Sequence, residues 1–159
     1  MQKKTLAMKV LEGKRVPFEV VPYPVEMRDA EAIAAELGVP AGQLFKTLVV
    51  PGTGPSVKSM LVMIPADRQL DLKKLAKAVG VKKLKMASHQ EAEALTGLQV
   101  GGISALALLN RGFAVYLDTS ACQYEQIYVS AGERGLDVKV PVADLVKVTK
   151  ARFADVTDS

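Results

Sequence analysis

The chain has 159 residues, 49% hydrophobic and 24% charged, a balance that predicts one compact domain (1–159) with a true core. It excludes disorder, collagen-like repeats and low-complexity tracts. Lys and Arg total 21 against 17 Asp and Glu, a net charge of +4 that rules out a histone-like polycation but leaves room for a nucleic-acid partner if the charge is focused on one face.

In chain order, Thr5 to Glu12 predicts a helix with Leu6, Val10 and Leu11 on its apolar face and Gly13 as its stop. Phe18–Val21 reads as a strand, ended by Pro22 and Pro24 around Tyr23. Asp29 is placed to cap a helix that buries Ile33 and Leu37 and ends at Gly38. Phe45–Val50 is β-branched and apolar, a strand that turns through Pro51–Pro55 and returns at Met60–Ile64. Helical spacing resumes over Leu72, Leu75, Ala76 and Val79 and stops at Gly80; Lys83–Met86 reads as a short strand. Ser88 and Glu91 form a capping-box pattern for a helix to Leu95 that stops at Gly97. A glycine turn, Val100–Ser104, precedes the apolar run 105–109. Strands follow at Phe113–Leu117, Gln126–Ser130 and Leu136–Val140. Pro141 suits the first turn of a helix bearing Leu145 and Val146, and Arg152–Val156 reads as a closing strand. Neighbouring strands without helical crossovers favour a mixed sheet in an α+β domain over a doubly wound one.

One cysteine, Cys122, and one histidine, His89, exclude an internal disulfide and a Cys/His zinc site, and no metal or other cofactor is expected. A single Cys suits a reducing compartment. Lys9 interrupts the first apolar stretch before a signal-peptide core forms, and no run approaches the roughly 20 apolar residues of a membrane span. The expectation is a cytoplasmic protein. His89 sits at a helix start and reads as solvated; Cys122 has no local base to activate it.

Three features carry chemistry. Lys46 lies inside an otherwise apolar strand. A strand lysine ordinarily points to solvent or guards an edge; the functional reading is a cationic donor projected into a cleft. Gly101–Gly102 followed by Ser104 is either a tight turn or a loop whose amides approach a ligand, and it matches neither the P-loop nor the Rossmann spacing. Between Asp71 and Lys85 stand six lysines and one acid: a solvated helix face, or a phosphate-binding one that includes Lys73, Lys74, Lys82 and Lys83.

Phe45-Lys46-Thr47-Leu48-Val49-Val50, Leu72-Lys73-Lys74-Leu75-Ala76-Lys77, Val100-Gly101-Gly102-Ile103-Ser104, Ile127-Tyr128-Val129-Ser130 and Arg134-Gly135-Leu136-Asp137 occur in that order. Together they resemble the YbaK family of freestanding aminoacyl-tRNA deacylases, relatives of the editing domain inserted in bacterial prolyl-tRNA synthetase. The resemblance covers nearly the whole chain. It implies a mixed, curved, barrel-like sheet flanked by helices. It also implies hydrolysis of the ester joining a wrong amino acid to tRNA, Cys-tRNA(Pro) foremost, with prolyl-tRNA synthetase as a helper. By motif, Lys46 matches the essential lysine, Gly101 and Gly102 the substrate-cradling loop, and Tyr23, Ser104, Ser130 and Asp137 the pocket. The resemblance further implies a route in which the cysteinyl thiol attacks its own carbonyl; a positioned water is the alternative. Ala105 stands where the family has Pro, whose loss permits a different loop conformation, and no His follows Tyr23. Ala131 replaces a common Gly. Cargo of cysteine, alanine or serine therefore stays open, as does a non-catalytic module that binds tRNA or a synthetase.

Overall fold

The computed structural model describes residues 4–158. Its elements are α1 (Leu6–Gly13), β1 (Glu19–Pro22), α2 (Ala30–Leu37), β2 (Phe45–Val50), β3 (Met60–Pro65), α3 (Leu72–Val79), α4 (His89–Thr96), β4 (Ala114–Asp118), β5 (Gln126–Glu133), β6 (Leu136–Pro141), α5 (Val142–Thr149) and β7 (Arg152–Ala154). Local chemistry sets the helix ends. The side chains of Thr5, Asp29, Asp71 and Ser88 accept backbone N–H groups at the N-termini of α1 to α4, and Ser88 and Glu91 complete a reciprocal capping box. Gly38, Gly80 and Gly97 end α2, α3 and α4 in the left-handed conformation.

Seven strands form two sheets, ordered β1-β6-β5 and β2-β3-β4-β7. The first is antiparallel; the second pairs β2–β3 antiparallel and β3–β4 and β4–β7 parallel. A parallel bridge between Leu44 and Tyr128 joins them where β2 begins. The expected mixed α+β architecture therefore holds, its strands divided between two sheets that this bridge joins.

Alternation along each strand divides the interior into two faces. Phe45, Val49, Leu61, Met63, Ile127, Val129, Val138 and Val140 point to the main core, which α1 and the 103–108 segment close with Met8, Leu11, Ile103 and Leu106. On the opposite face, Val50, Val62 and Ile64 pack under α3, while Leu44, Ala66, Tyr128, Val21 and Tyr23 pack with α2.

Three local expectations change. Leu6 is 58% exposed, because α1 buries Ala7, Met8 and Leu11 and its apolar stripe is rotated by one position. Residues 83–86 form no strand: two exposed lysines and an exposed Met86 leave only Leu84 to bury, and the segment is held by the cap of α4 and one bond from the Ala87 N–H to the Val49 oxygen. Pro141 is the last residue of β6 and stands immediately before α5, outside its first turn.

Candidate active site

Lys46 lies in β2 opposite Ile64, on the face shared by α2 and α3, in the gap between the two smaller apolar clusters. Its half-buried ammonium donates to the Ala66 carbonyl at 3.4 Å, a long bond that a better acceptor would displace. No ion pair engages it among the described residues.

The sheet register brings four of the predicted residues to the same face. Two positions beyond the Leu44–Tyr128 bridge, the strands carry Lys46 and Ser130. Ser130 is opposite Asp137 in β6, and Asp137 is opposite Val21 in β1. Tyr23 follows two residues after Val21, and its N–H donates to the Gly135 carbonyl at 2.9 Å. Cross-strand partners share a face, so Lys46, Ser130, Asp137 and Tyr23 form one row across both sheets.

The groups in that row are chemically distinct. Asp137 is 5% exposed, and burial pushes its carboxyl up to about 7. Burial also raises the Tyr23 phenol, helped by the charge of Asp137; the Gly135 backbone and Arg134 pull the other way. Ser130 Oγ accepts the Gly132 N–H at 3.1 Å at the β5 bulge, which leaves its own O–H free to donate.

The glycine loop packs against the end of the β5–β6 hairpin, beside Gly135, whose carbonyl accepts the Tyr23 N–H. Ile103 and Ala105 belong to the main core, so the loop passes around the end of the β5–β6 hairpin. Gly102 is required by close approach: a Cβ there would stand 2.9 Å from the Arg134 nitrogen. Gly101 takes φ +95° against the aliphatic part of Arg134. Arg134 Nε donates to the Val100 carbonyl at 2.8 Å and clasps the loop to the hairpin. The Gly102 N–H is spent on the Gln99 carbonyl, so Gly102 acts through its missing side chain and not as an amide donor. Ser104 is 1% exposed and its Oγ has no partner, which puts it beneath the loop, not at the surface.

Ala105 has φ −61°, ψ −33°, the φ a proline would impose. The backbone at this position is one that proline could adopt. A cleft of about 590 Å³ is lined by Gly97–Gln99, Gly102 and Gly132–Arg134 together with Val25, Glu26 and Arg28; Lys46 and Asp137 do not line it. Arg134 was the missed residue, although its motif is legible. Of the four lysines singled out as phosphate-binding, Lys73, Lys82 and Lys83 are exposed, while Lys74 binds Asp155 and the Thr157 carbonyl. No helix among the described residues is long and apolar enough to cross a membrane.

The chain is similar to known proteins. The family model for the aminoacyl-tRNA editing domain matches residues 25–148. The chain is 39% identical over 160 residues, covering 98% of it and 94% of the relative, to the Enterococcus faecalis protein named "Putative Cys-tRNA(Pro)/Cys-tRNA(Cys) deacylase EbsC". It is 27% identical over 147 residues, 92% of this chain and 87% of the other, to the Escherichia coli K12 protein named multifunctional Ser/Thr-tRNA deacylase ProXp-y. A crystal structure described as "a putative trans-editing enzyme for prolyl tRNA synthetase" superposes with a TM-score of 0.82 at 26% identity, covering 99% of this chain and 100% of that one. With a family model spanning most of its length and a full-length relative at 39% identity, the chain belongs to the aminoacyl-tRNA editing domain family.

Proposed function

We propose that the chain, as one editing domain over 1–159, removes a wrong amino acid from tRNA in trans, with Cys-tRNA(Pro) as its principal substrate. The observation that carries this reading is the row Lys46–Ser130–Asp137–Tyr23 on one face, beside a glycine loop clasped by Arg134. Family membership supplies the reaction class; the relative at 39% identity supports cysteine as cargo.

Each group has a role fitted to an aminoacyl ester. Burial raises Asp137 with no cation to offset it, and the α-ammonium of the aminoacyl group is a cation of the right size and place. Lys46 gives up its long bond to Ala66 and donates to the ester carbonyl or the terminal ribose. The free Ser130 O–H and the Tyr23 phenol orient the remaining polar atoms. For a cysteinyl ester, the substrate's thiol sulfur attacks its own carbonyl carbon. The C–S bond forms, the C–O ester bond breaks, and the thiol proton passes to the released ribose oxygen, leaving a thiolactone. Orientation of such an intramolecular attack is worth roughly 7–11 kcal/mol. No residue of the row has to act as nucleophile.

The exposed Lys73, Lys82 and Lys83 flank the same face as Lys46 and are assigned to the tRNA backbone. Prolyl-tRNA synthetase is the proposed partner for tRNA choice, and the cytoplasm the compartment. The test is a deacylation panel of Cys-, Ala-, Ser- and Thr-charged tRNAs. Preferential loss of cysteine from tRNA(Pro) is expected. No turnover of any of them, with tight binding to a synthetase, would leave a binding module instead.

A further inference from the structure

The basic segment 71–85 holds a local charge of +5, so the rest of the chain sums to −1 against the total of +4. That remainder is not evenly spread. A second cleft of about 430 Å³ lies beside the first and shares Gly97, Leu98, Gly132 and Glu133 with it. Lys4, Lys9 and Arg111, none of which lines the first cleft, line the second. Taken together, the two clefts are lined by Arg28, Arg134, Lys4, Lys9 and Arg111, with only Glu26 and Glu133 as acids. Lys4 is engaged by Glu12 at 3.0 Å. Arg28, Lys9 and Arg111 are exposed and have no ion-pair partner among the described residues. These cations come from four separate regions of the sequence, so no run reveals them.

The floor between the cations is small and apolar: Leu98, Leu108, Ala107 and Ala131. No Phe, Tyr or Trp lines either cleft, so base stacking is not offered. A surface with spaced cations, a smooth floor and no aromatic platform fits a chain of phosphates read by charge alone. The cleft also passes Gly102 and Arg134, the elements that hold the glycine loop.

We propose that the channel from Arg28 and Arg134, past Gly97–Gly102, to Lys9 and Arg111 is the track for the phosphodiester backbone of the substrate's single-stranded 3′ end. This rests on the deacylase reading above and adds a second, separate RNA contact to the α3 lysines. The 3′ end is thereby led to the glycine loop independently of base sequence.

The test uses the full chain with Lys9→Gln and Arg111→Gln combined. Both side chains are exposed and unpaired, so folding is preserved. With mischarged tRNA, KM rises about tenfold, the effect falling on KM and not on kcat. The salt dependence of binding flattens by about 0.7 per lost single-strand contact, near 1.4 for the pair. The control Lys147→Gln with Lys150→Gln, exposed lysines at the end of α5, changes neither quantity. Unchanged KM and salt slope in the Lys9/Arg111 variant would overturn the track. Binding of uncharged tRNA, followed by fluorescence anisotropy, separates this from failure of the deacylase reading. Weakened binding in the variant upholds the track even if the wild type turns over no ester. Unchanged tRNA binding with lost affinity for a polyglutamate peptide would assign the channel to an acidic protein partner and overturn it.

Discussion

Ser130 and Asp137 stand directly opposite each other in the β5–β6 ladder, a free hydroxyl donor beside a buried acid. Burial of that acid gives the site its pH dependence. Asp137 titrates at about 7 instead of 3.8 because it is buried. The folded protein therefore holds this proton more tightly than the unfolded chain. Its contribution to stability is complete below about pH 3.8 and is lost as the pH rises through about 7. The upper bound is about 4 kcal/mol, from roughly 1.4 kcal/mol per pKa unit.

Asp137→Asn is accordingly expected to be more stable than wild type at pH 8, with the advantage shrinking toward pH 5. Thermal melts at several pH values check this. The same variant loses most deacylation, since the amide offers no charge to the substrate ammonium. In the wild type, kcat/KM rises with pH to a plateau just above 7. A pH-independent stability difference would refute the assignment of that titration to Asp137.

Lys46→Ala is expected to abolish deacylation and leave the fold intact. The lysine makes one long bond, at 3.4 Å, and removing it costs at most about 1 kcal/mol of stability. Loss of a donor to a developing oxyanion lowers kcat by about 100- to 1,000-fold. Melting temperature and single-turnover rate, measured together, separate the two effects. Full activity in this variant would sink the proposed site.

Much of this was legible in the sequence, and the reasons differ by residue. Caps at Thr5, Asp29 and Ser88 and stops at Gly38, Gly80 and Gly97 are local signals, so the helix limits were readable. Lys46 stood out because a charge interrupts an apolar strand. The row through Ser130, Asp137 and Tyr23 depends on register between strands far apart in sequence, which no local pattern encodes. The misread strand at 83–86 shows the converse: alternating Leu84 and Met86 imitate a strand, but the segment pairs with no ladder. Arg134 was missed because its role is to bond a carbonyl 34 residues away.

Ala105 tests how far the loop depends on the missing proline. Its φ of −61° already suits proline, so Ala105→Pro should fit the existing loop. The substitution removes freedom from the unfolded chain and stabilises by about 0.4–1 kcal/mol. Deacylation stays near wild type, because the loop does not move. A fall in melting temperature would mean that the buried site, 4% exposed, has no room for the ring.

Cargo distinguishes the two chemical routes. If the substrate supplies its own nucleophile, the cysteinyl ester is cleaved and the alanyl ester is nearly inert on the same tRNA. A thiolactone, or its hydrolysis product after trapping, accompanies the first reaction. Comparable rates on both esters would point instead to a water placed on the carbonyl. One methylene in a pocket is worth only about 1–3 kcal/mol, so size alone does not produce an all-or-none difference.

The basic segment divides into two roles, and substitution should separate them. Lys74 Nζ lies 2.8 Å from the Thr157 carbonyl and 3.3 Å from Asp155, so it ties α3 to the C-terminal segment. Lys74→Ala is expected to lower stability by about 1 kcal/mol, a value held down by the solvent exposure of the pair. Its effect on KM for tRNA is small. Lys73, Lys82 and Lys83 are exposed and make no ion pair among the described residues. Neutralising those three should leave the melting temperature unchanged, raise KM and flatten its dependence on salt, because each lost phosphate contact removes one released counterion. Salt-dependent KM and thermal melts on the two variants provide the check. A stable Lys74→Ala with a raised KM would return that lysine to the RNA face. An unchanged salt profile in the triple variant would make the α3 lysines a solvated surface and nothing more.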